Sequence, residues 1–395
     1  MHSHQELNRS NPNSAFLNVQ TVNKENFSFN NIVSNKQLFK LPSSYINVSV
    51  RSEAEDLTSY TVWDQNTIPQ FIDFKLNRLY NHIIKTIYLY VKFSSSAVTN
   101  STLLPLSHLI SKIEISRSNS EILQTLTSHD IYHFHKIKLN VNEIDVGNNI
   151  LNTSTLTVGG SQKNYIELPT IFNGTYLSKF KADDLFMRIY FKQRETKLLT
   201  SLSTNQDHSK ISLSECKIYF DLNEIDSSIV KSIEQNSFID YVQCKPETYN
   251  IYANMSANTN YDLLVSQIYK NSCAGFCPFI LPSTGNAEDV INYIKPNSLQ
   301  VKSVLYDDLL VKVMNKHKLP NNLSLGESNE MNWFFYCNNP LEVLKGNYSD
   351  GFNNFKDPEL KFCVNFSSAS NSIFITFLTY KLIRIDESSV QVLPS

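Results

Sequence analysis

From about residue 42 onward, apolar and polar positions alternate with a period of two. Ile87, Leu89, Val91 and Phe93 fall on one side, and Thr86, Tyr88, Tyr90 and Lys92 on the other. Leu109, Ile113 and Ile115 alternate with Lys112, Glu114 and Ser116, and Leu185, Met187, Ile189 and Phe191 with Arg188, Tyr190 and Lys192. Successive side chains of a strand point to opposite faces, so this pattern predicts antiparallel strands with one face on a core and the other wetter. Clusters of Asn, Ser and Pro punctuate the runs (94–96, 116–120, 148–154), which suits a sandwich of short strands.

The second half repeats the pattern. Cys216, Ile218, Phe220 and Leu222 alternate with Lys217, Tyr219 and Asp221, and Leu360, Phe362, Val364 and Phe366 with Lys361, Cys363 and Asn365. In the last run Ile373, Ile375 and Phe377 face one way and Phe374, Leu378 and Tyr380 the other. Apolar on both faces, that strand is expected to be central in its sheet, or covered on its outer side by a neighbour. Helical signals are few. Ile225, Ile229 and Ile233 recur every fourth residue; Ser128 and Asp130 precede Ile131 and Phe134 as a cap and a short helix; and Asn286, Glu288 and Asp289 precede Val290, Ile291 and Ile294 in the same way. The organisation predicted is an extended arm over 1–40, a β block over 41–222, a short helical linker over 223–237 and a second β block over 238–395. Each block has the size of an eight-stranded antiparallel jelly roll, so the fold class expected is all-β, two jelly rolls in succession.

Composition narrows the function classes. The chain has 395 residues, 35 Lys and Arg against 37 Asp and Glu, and a formal net charge of -2. That balance argues against specific nucleic-acid binding through a basic surface. Only 9 glycines occur, too few for phosphate-cradling loops to be common. Six cysteines are spread thinly from Cys216 to Cys363, unlike a disulfide scaffold, and point to a reducing compartment. The first residues carry no apolar stretch of the secretory kind, and no run approaches the roughly 20 apolar residues of a membrane span. The expected product is soluble and made inside a cell.

No catalytic, cofactor or metal residue is assigned. His129, Asp130, His133 and His135 form the densest histidine cluster, yet zinc needs three or four converging ligands and no HExxH motif or nearby cysteine completes a set. A polar helix face is the plainer reading. Cys273 and Cys277 could be neighbours in a loop, a late bridge, or buried thiols, the last being the default. The adjacent acids Asp183–Asp184 and Asp307–Asp308 point to opposite faces of a strand and do not make a glycosidase dyad. N-x-S/T triplets at Asn47, Asn100, Asn173 and Asn322 are expected to stay unmodified. The residues assigned to interaction lie in the arm: Phe16, Leu17, Val19, Phe27, Phe29 and Ile32, isolated apolar side chains among Asn, Ser and Gln that cannot form a core of their own.

Several stretches carry a family resemblance. IYFDLNEIDSSIVKSIEQNSFIDYVQ (218–243), HLISKIEISRSNSEILQTLTSHDIYHFHKI (108–137), LPTIFNGTYLSKFKADDLFMRIYFK (168–192) and the ending NWFFYCNN…LKFCVNF…SIFITFLTYKLIRID resemble, in pattern and order, the double jelly-roll major capsid proteins of icosahedral double-stranded DNA viruses. That group includes large eukaryotic DNA viruses, virophages, polinton-like viruses and tectivirus-like phages. The glycines these proteins often carry in the first hairpin turn are replaced here by residues 117–120. The resemblance implies a structural virion protein without catalysis or cofactor. It implies homotrimers whose six barrels form a pseudo-hexagonal block, tiled with neighbouring trimers, penton and minor capsid proteins, and in some relatives over an internal membrane beneath the arm. The rival classes are a jelly-roll carbohydrate-active or glycoamidase-type enzyme, and a minor vertex or receptor-binding capsid protein.

Overall fold

The computed structural model describes residues 48–54, 71–76, 82–95, 100–103, 110–118, 121–138, 154–177, 180–181, 184–191, 199–200, 211–224, 230–231, 234–255, 260–264, 272–282, 292–293, 298–301, 304–306, 333–335, 337, 340–344, 353–354, 360–365 and 371–393. Eight strands build the first sandwich: β1 (Val48–Ala54), β2 (Phe71–Lys75), β3 (His82–Ser95), β4 (Ile110–Arg117), β5 (Ile122–Thr127), β6 (Ser161–Leu168), β7 (Leu185–Phe191) and β8 (Ile211–Glu224). They form two four-stranded antiparallel sheets, β1-β8-β3-β6 and β2-β7-β4-β5. The first strand pairs with the last and the last with the third, while the second pairs with the penultimate, then the fourth and fifth.

The same order recurs further along. The strands are β9 (Phe238–Met255), β10 (Asn260–Leu264), β11 (Ser272–Pro282), β12 (Ser298–Val301), β13 (Val304–Tyr306), β14 (Leu360–Asn365) and β15 (Asn371–Asp386). Sheets β9-β15-β11 and β10-β14-β12-β13 repeat first-last-third and second-penultimate-fourth-fifth. Short pieces at Phe334–Phe335 and Asn353–Asn354 pair with β11, where the sixth strand of the first sandwich would stand, and β16 (Val390–Leu393) pairs back on β15. Among the described residues no ladder joins a strand before residue 225 to one after 237.

Alternation places the core as the sequence reading expects. Ile87, Leu89, Val91 and Phe93 of β3, Ile113 and Ile115 of β4, Leu185, Met187 and Ile189 of β7, and Cys216, Ile218, Phe220 and Leu222 of β8 are all buried. Leu109 and the side chains of β14 lie outside the described residues. The last long strand, β15, is central between β9 and β11, and Ile373, Ile375, Phe377, Leu378, Tyr380, Leu382, Ile383 and Ile385 are buried on both of its faces. Without glycine, the β4–β5 hairpin closes through Arg117 N–H on Glu121 O (2.9 Å), an Arg117–Glu121 ion pair (3.0 Å) and a register shift at Ile115/Ser116.

Two local expectations are corrected. The helix α1 spans Ser128–Lys138, but its cap is Thr127 and not Ser128: Thr127 Oγ1 accepts the Asp130 N–H (3.3 Å) while the Asp130 carboxylate takes the Thr127 N–H (2.7 Å). This reciprocal capping box fixes the helix start one residue earlier. The helix expected over 286–294 does not hold at its C-terminal end, because Asn292–Tyr293 is a strand paired with Ile280 and Phe279. An open edge of β11 offers ladder bonds that a helix too short to nucleate cannot match. Ile225, Ile229 and Ile233 lie outside the described residues; between them Val230 and Lys231 are helical and Val230 is buried in the first core.

Candidate functional site

The region richest in buried polar groups is the seam between the sandwiches. The long antiparallel ribbon β9–β15 reaches into the first core with Ile239, Tyr241, Ile383 and Ile385, which cluster with Ile87, Phe172 and Phe220. Burial of four such side chains stabilises the junction by roughly 2 kcal/mol each. From the first sandwich, α1 and the 169–177 loop grip this ribbon. Phe134 and Ile137 of α1 enter the second core, beside Cys244, Trp333, Phe335 and Tyr380, while Ile131 stays in the first. Tyr176 N–H donates to the Tyr241 phenol oxygen (3.0 Å), and Gln243 Nε2 donates to Asn173 O (2.5 Å). Gly174, at φ 85, makes the tight turn that lets Thr175 bridge to Ile84. Asn173 and Thr175 of the N-G-T triplet are thereby buried.

The histidine cluster lies in this seam, and the fold gives each side chain a different partner. Thr248 Oγ1 donates to Asp130 Oδ1 (2.6 Å), Thr248 and Thr376 hydroxyls are 2.8 Å apart, and Thr376 Oγ1 lies 2.8 Å from His133 Nδ1. An ionised Asp130 can only accept, so Thr248 accepts from Thr376 and Thr376 from the His133 Nδ1–H. His135 Nε2 lies 2.9 Å from the Glu167 carbonyl oxygen and, facing an acceptor, must carry the proton there. His129 packs its ring against Phe279 and Phe374 at 5.3 and 5.7 Å. Among the described residues no three His, Cys, Asp or Glu side chains converge as a metal site requires. Burial sets the titration: it pushes Asp130 up to about 7 against donors from Thr248 and Thr127, pulls His133 down to about 3 and His135 to about 4.

Asp240 and Arg384, cross-strand neighbours on the ribbon, form a bidentate pair at 2.8 and 2.9 Å, with the guanidinium 4.1 Å over the Phe238 ring. The Asp240 side chain is 0% exposed and that of Arg384 12%. Burial raises the Asp240 carboxyl, opposed by the guanidinium. The sequence reading missed Asp240, Arg384, Thr248 and Tyr241; an Asp and an Arg inside apolar runs were the available signal, but their pairing across 144 positions was not.

The remaining sequence-level candidates separate. Cys273 and Cys277 are not in a loop but on β11, both buried as free thiols with Cys244 and Cys337, and burial raises the Cys273 and Cys244 thiols. Asp184 pairs with Lys75; Asp183, Asp307 and Asp308 lie outside the described residues, as do Phe16, Leu17, Val19, Phe27, Phe29 and Ile32. The outer faces of the first sandwich carry aromatic and paired charged groups. Tyr90, Tyr165 and Tyr219 cluster with centroids 4.9 to 5.9 Å apart beside Lys92–Glu215–Lys217. On the opposite sheet Arg188 forks onto Asp73 (2.7 Å twice) and stacks 3.9 Å over Phe71. Tyr165 is 50% exposed and Phe71 39%.

No protein-family model matches the chain, and no curated protein matches it by sequence. Solved structures do match. The capsid protein VP54 of PBCV-1, as fitted into a reconstruction of the virophage Sputnik, superposes with a TM-score of 0.62 at 11% identity, covering 89% of this chain and 98% of that one. The Faustovirus major capsid protein gives a TM-score of 0.58 at 9% identity over 87% and 91% of the two chains. The chain is a double jelly roll. The superpositions cover 87 to 89% of the chain and so extend over both copies of its repeated strand order.

The seam of this double jelly roll is expected to be pH-sensitive. Asp130 titrates higher folded than unfolded, so its contribution favours the fold below about pH 4 and is lost as pH rises through about 7. His133 and His135 act in the opposite sense: their contribution is present above about pH 6.5 and is lost as pH falls toward their folded values. In D130N the first dependence disappears, and the stability difference from wild type changes by on the order of 3–4 kcal/mol between pH 4 and 7. Urea unfolding at a series of pH values checks it, and a pH-independent difference would show that Asp130 does not titrate in this window.

Proposed function

We propose that this double jelly roll is the major capsid protein of an icosahedral double-stranded DNA virus or related mobile element. It would form homotrimers whose six barrels make a pseudo-hexagonal capsomer. The observation that carries this is the repeated strand order within one chain, shared at fold level with the PBCV-1 and Faustovirus capsid proteins. Burial of both faces of β15 and the interlocked seam supply a stiff two-barrel block, which tiling requires. The net charge of -2 lets such blocks approach at little electrostatic cost. Assembly would be driven by burying apolar surface, roughly 2,000 Å² or more for an obligate interface. The tyrosine cluster around Tyr165 and the Phe71–Arg188 stack are the aromatic, charge-matched surfaces best suited to meet neighbours. We further propose domain limits at 41–222 and 238–395 about a 223–237 linker. The 1–40 arm, through Phe16, Leu17, Val19, Phe27, Phe29 and Ile32, would dock under the shell or on an adjacent trimer, with penton and minor capsid proteins as further partners.

A non-catalytic role is supported by how the carboxylates are used. Asp73, Glu114, Asp184, Glu215 and Asp240 each sit in an ion pair with Lys or Arg. Asp130, the acid raised to about 7, is 1% exposed and closed to substrate. Light scattering on the purified chain is expected to give about three times 45.3 kDa, and a chain lacking residues 1–36 to keep that mass while forming fewer shells in electron micrographs. A stable monomer at micromolar concentration would contradict the capsid reading.

A further inference from the structure

Between the two sandwiches lies a cavity of about 230 Å³, walled by β5 of the first and by β9, β15 and β16 of the second. Its lining combines apolar Ile122, Leu123, Ile171 and Val392 with charged Lys245, Glu247 and Lys381. Glu247 and Lys381 pair at 3.2 Å. Lys245 is different. It is 5% exposed, and among the described residues no carboxylate lies within ion-pair distance of its ammonium; its one close partner is the Phe134 ring, with the centroid 5.8 Å away. Glu167, whose charge Lys245 feels, is already bound to Lys138.

A buried ammonium is costly unless an anion meets it. We propose that this cavity is a binding site for a carboxylate on a short apolar stem, the carboxylate meeting Lys245 and the stem lying against Ile122, Leu123, Ile171 and Val392. Charge selects the class. Two lysines and one glutamate leave a single positive charge, which a monocarboxylate neutralises, whereas a phosphate dianion would leave an excess negative charge beside Glu247. Volume agrees: at about 30 Å³ per water, the cavity holds some seven water-sized units, enough for a carboxylate with three or four carbons. Burial pulls Lys245 down to about 8, so it is an ammonium at neutral pH and a reactive amine just above it. The site does not depend on the capsid reading.

Thermal unfolding of the full chain in sodium butyrate, in sodium phosphate, and with an acetyl-Gly-Glu-Gly-amide peptide, at matched ionic strength, tests it. Butyrate at ten times its Kd is expected to raise the midpoint by on the order of 2 °C and phosphate not to. In K245M, which removes the buried charge, the midpoint should be higher without ligand and unmoved by butyrate. Acetic anhydride labelling of Lys245, read by mass spectrometry, gives a test without a variant: butyrate should reduce it several-fold. A shift and protection from the peptide but not from butyrate would assign the carboxylate to a neighbouring chain and not to a free molecule. Equal shifts with phosphate, the same butyrate shift in K245M, or no protection by either carboxylate would overturn the site.

Discussion

Replacing Arg384 with Met is expected to lower the free energy of unfolding by roughly 3–5 kcal/mol, because it leaves the Asp240 carboxylate buried without its counter-charge. The wild-type pair satisfies both carboxylate oxygens by parallel N–H donors at 2.8 and 2.9 Å, within a side-chain environment that excludes water from Asp240 entirely. The guanidinium also covers Phe238, so some packing is lost as well. In R384M the carboxyl can relieve its burial by taking a proton. The variant should therefore recover stability as pH is lowered, since its folded acid binds a proton the unfolded chain releases. Removing both charges in D240L/R384M should restore most of the loss, as apolar replacement of a buried pair often does. Urea denaturation at pH 5 and pH 8 checks both points. A loss under about 1 kcal/mol at pH 8 would mean that water reaches Asp240 once the guanidinium is gone.

The second large effect is expected at Trp333. The indole is fully buried, stacked on Phe335 at 5.2 Å with the planes 6° apart, and edge-on to His133 at 5.8 Å. Truncation to Ala should cost roughly 3–5 kcal/mol, since the aromatic contacts are lost and the rigid surroundings close only part of the cavity. His133 belongs to α1, which the first sandwich caps through Thr127, while Trp333 belongs to the second core. W333A should then speed amide hydrogen exchange in α1 as well as in β11. Faster exchange in β11 alone would show that the seam does not transmit the loss.

Much of the architecture was legible because a strand exposes its environment in its own alternation. The inward residues of β3, β7 and β8 needed no partner to be recognised, and the two apolar faces of β15 already required a central place. The short helix at Ile131 and Phe134 was legible as well, though its cap was displaced by one residue because Ser128 is by type the better cap and only the reciprocal bond to Asp130 selects Thr127. The C-terminal end of the helix expected over 286–294 was lost to the sheet edge, where Asn292 and Tyr293 find ladder partners in Ile280 and Phe279 that a local helical pattern does not reveal.

The seam was hidden. Lys245, Thr248 and Thr376 drew no notice as site residues in the sequence, and the histidines read as a polar helix face although His133 and His135 are buried, because local sequence reports which side of an element is polar and not what the polar side meets. Asp130 meets Thr248 across 118 positions and His133 meets Thr376 across 243. By itself the sequence determined two β-rich blocks with alternating strands, since period and side-chain polarity are local properties set by the pleat. Only the tertiary structure decided that both blocks share one strand order and that a charged, hydroxyl-lined layer locks them together, since those contacts exist only where distant segments are brought into register.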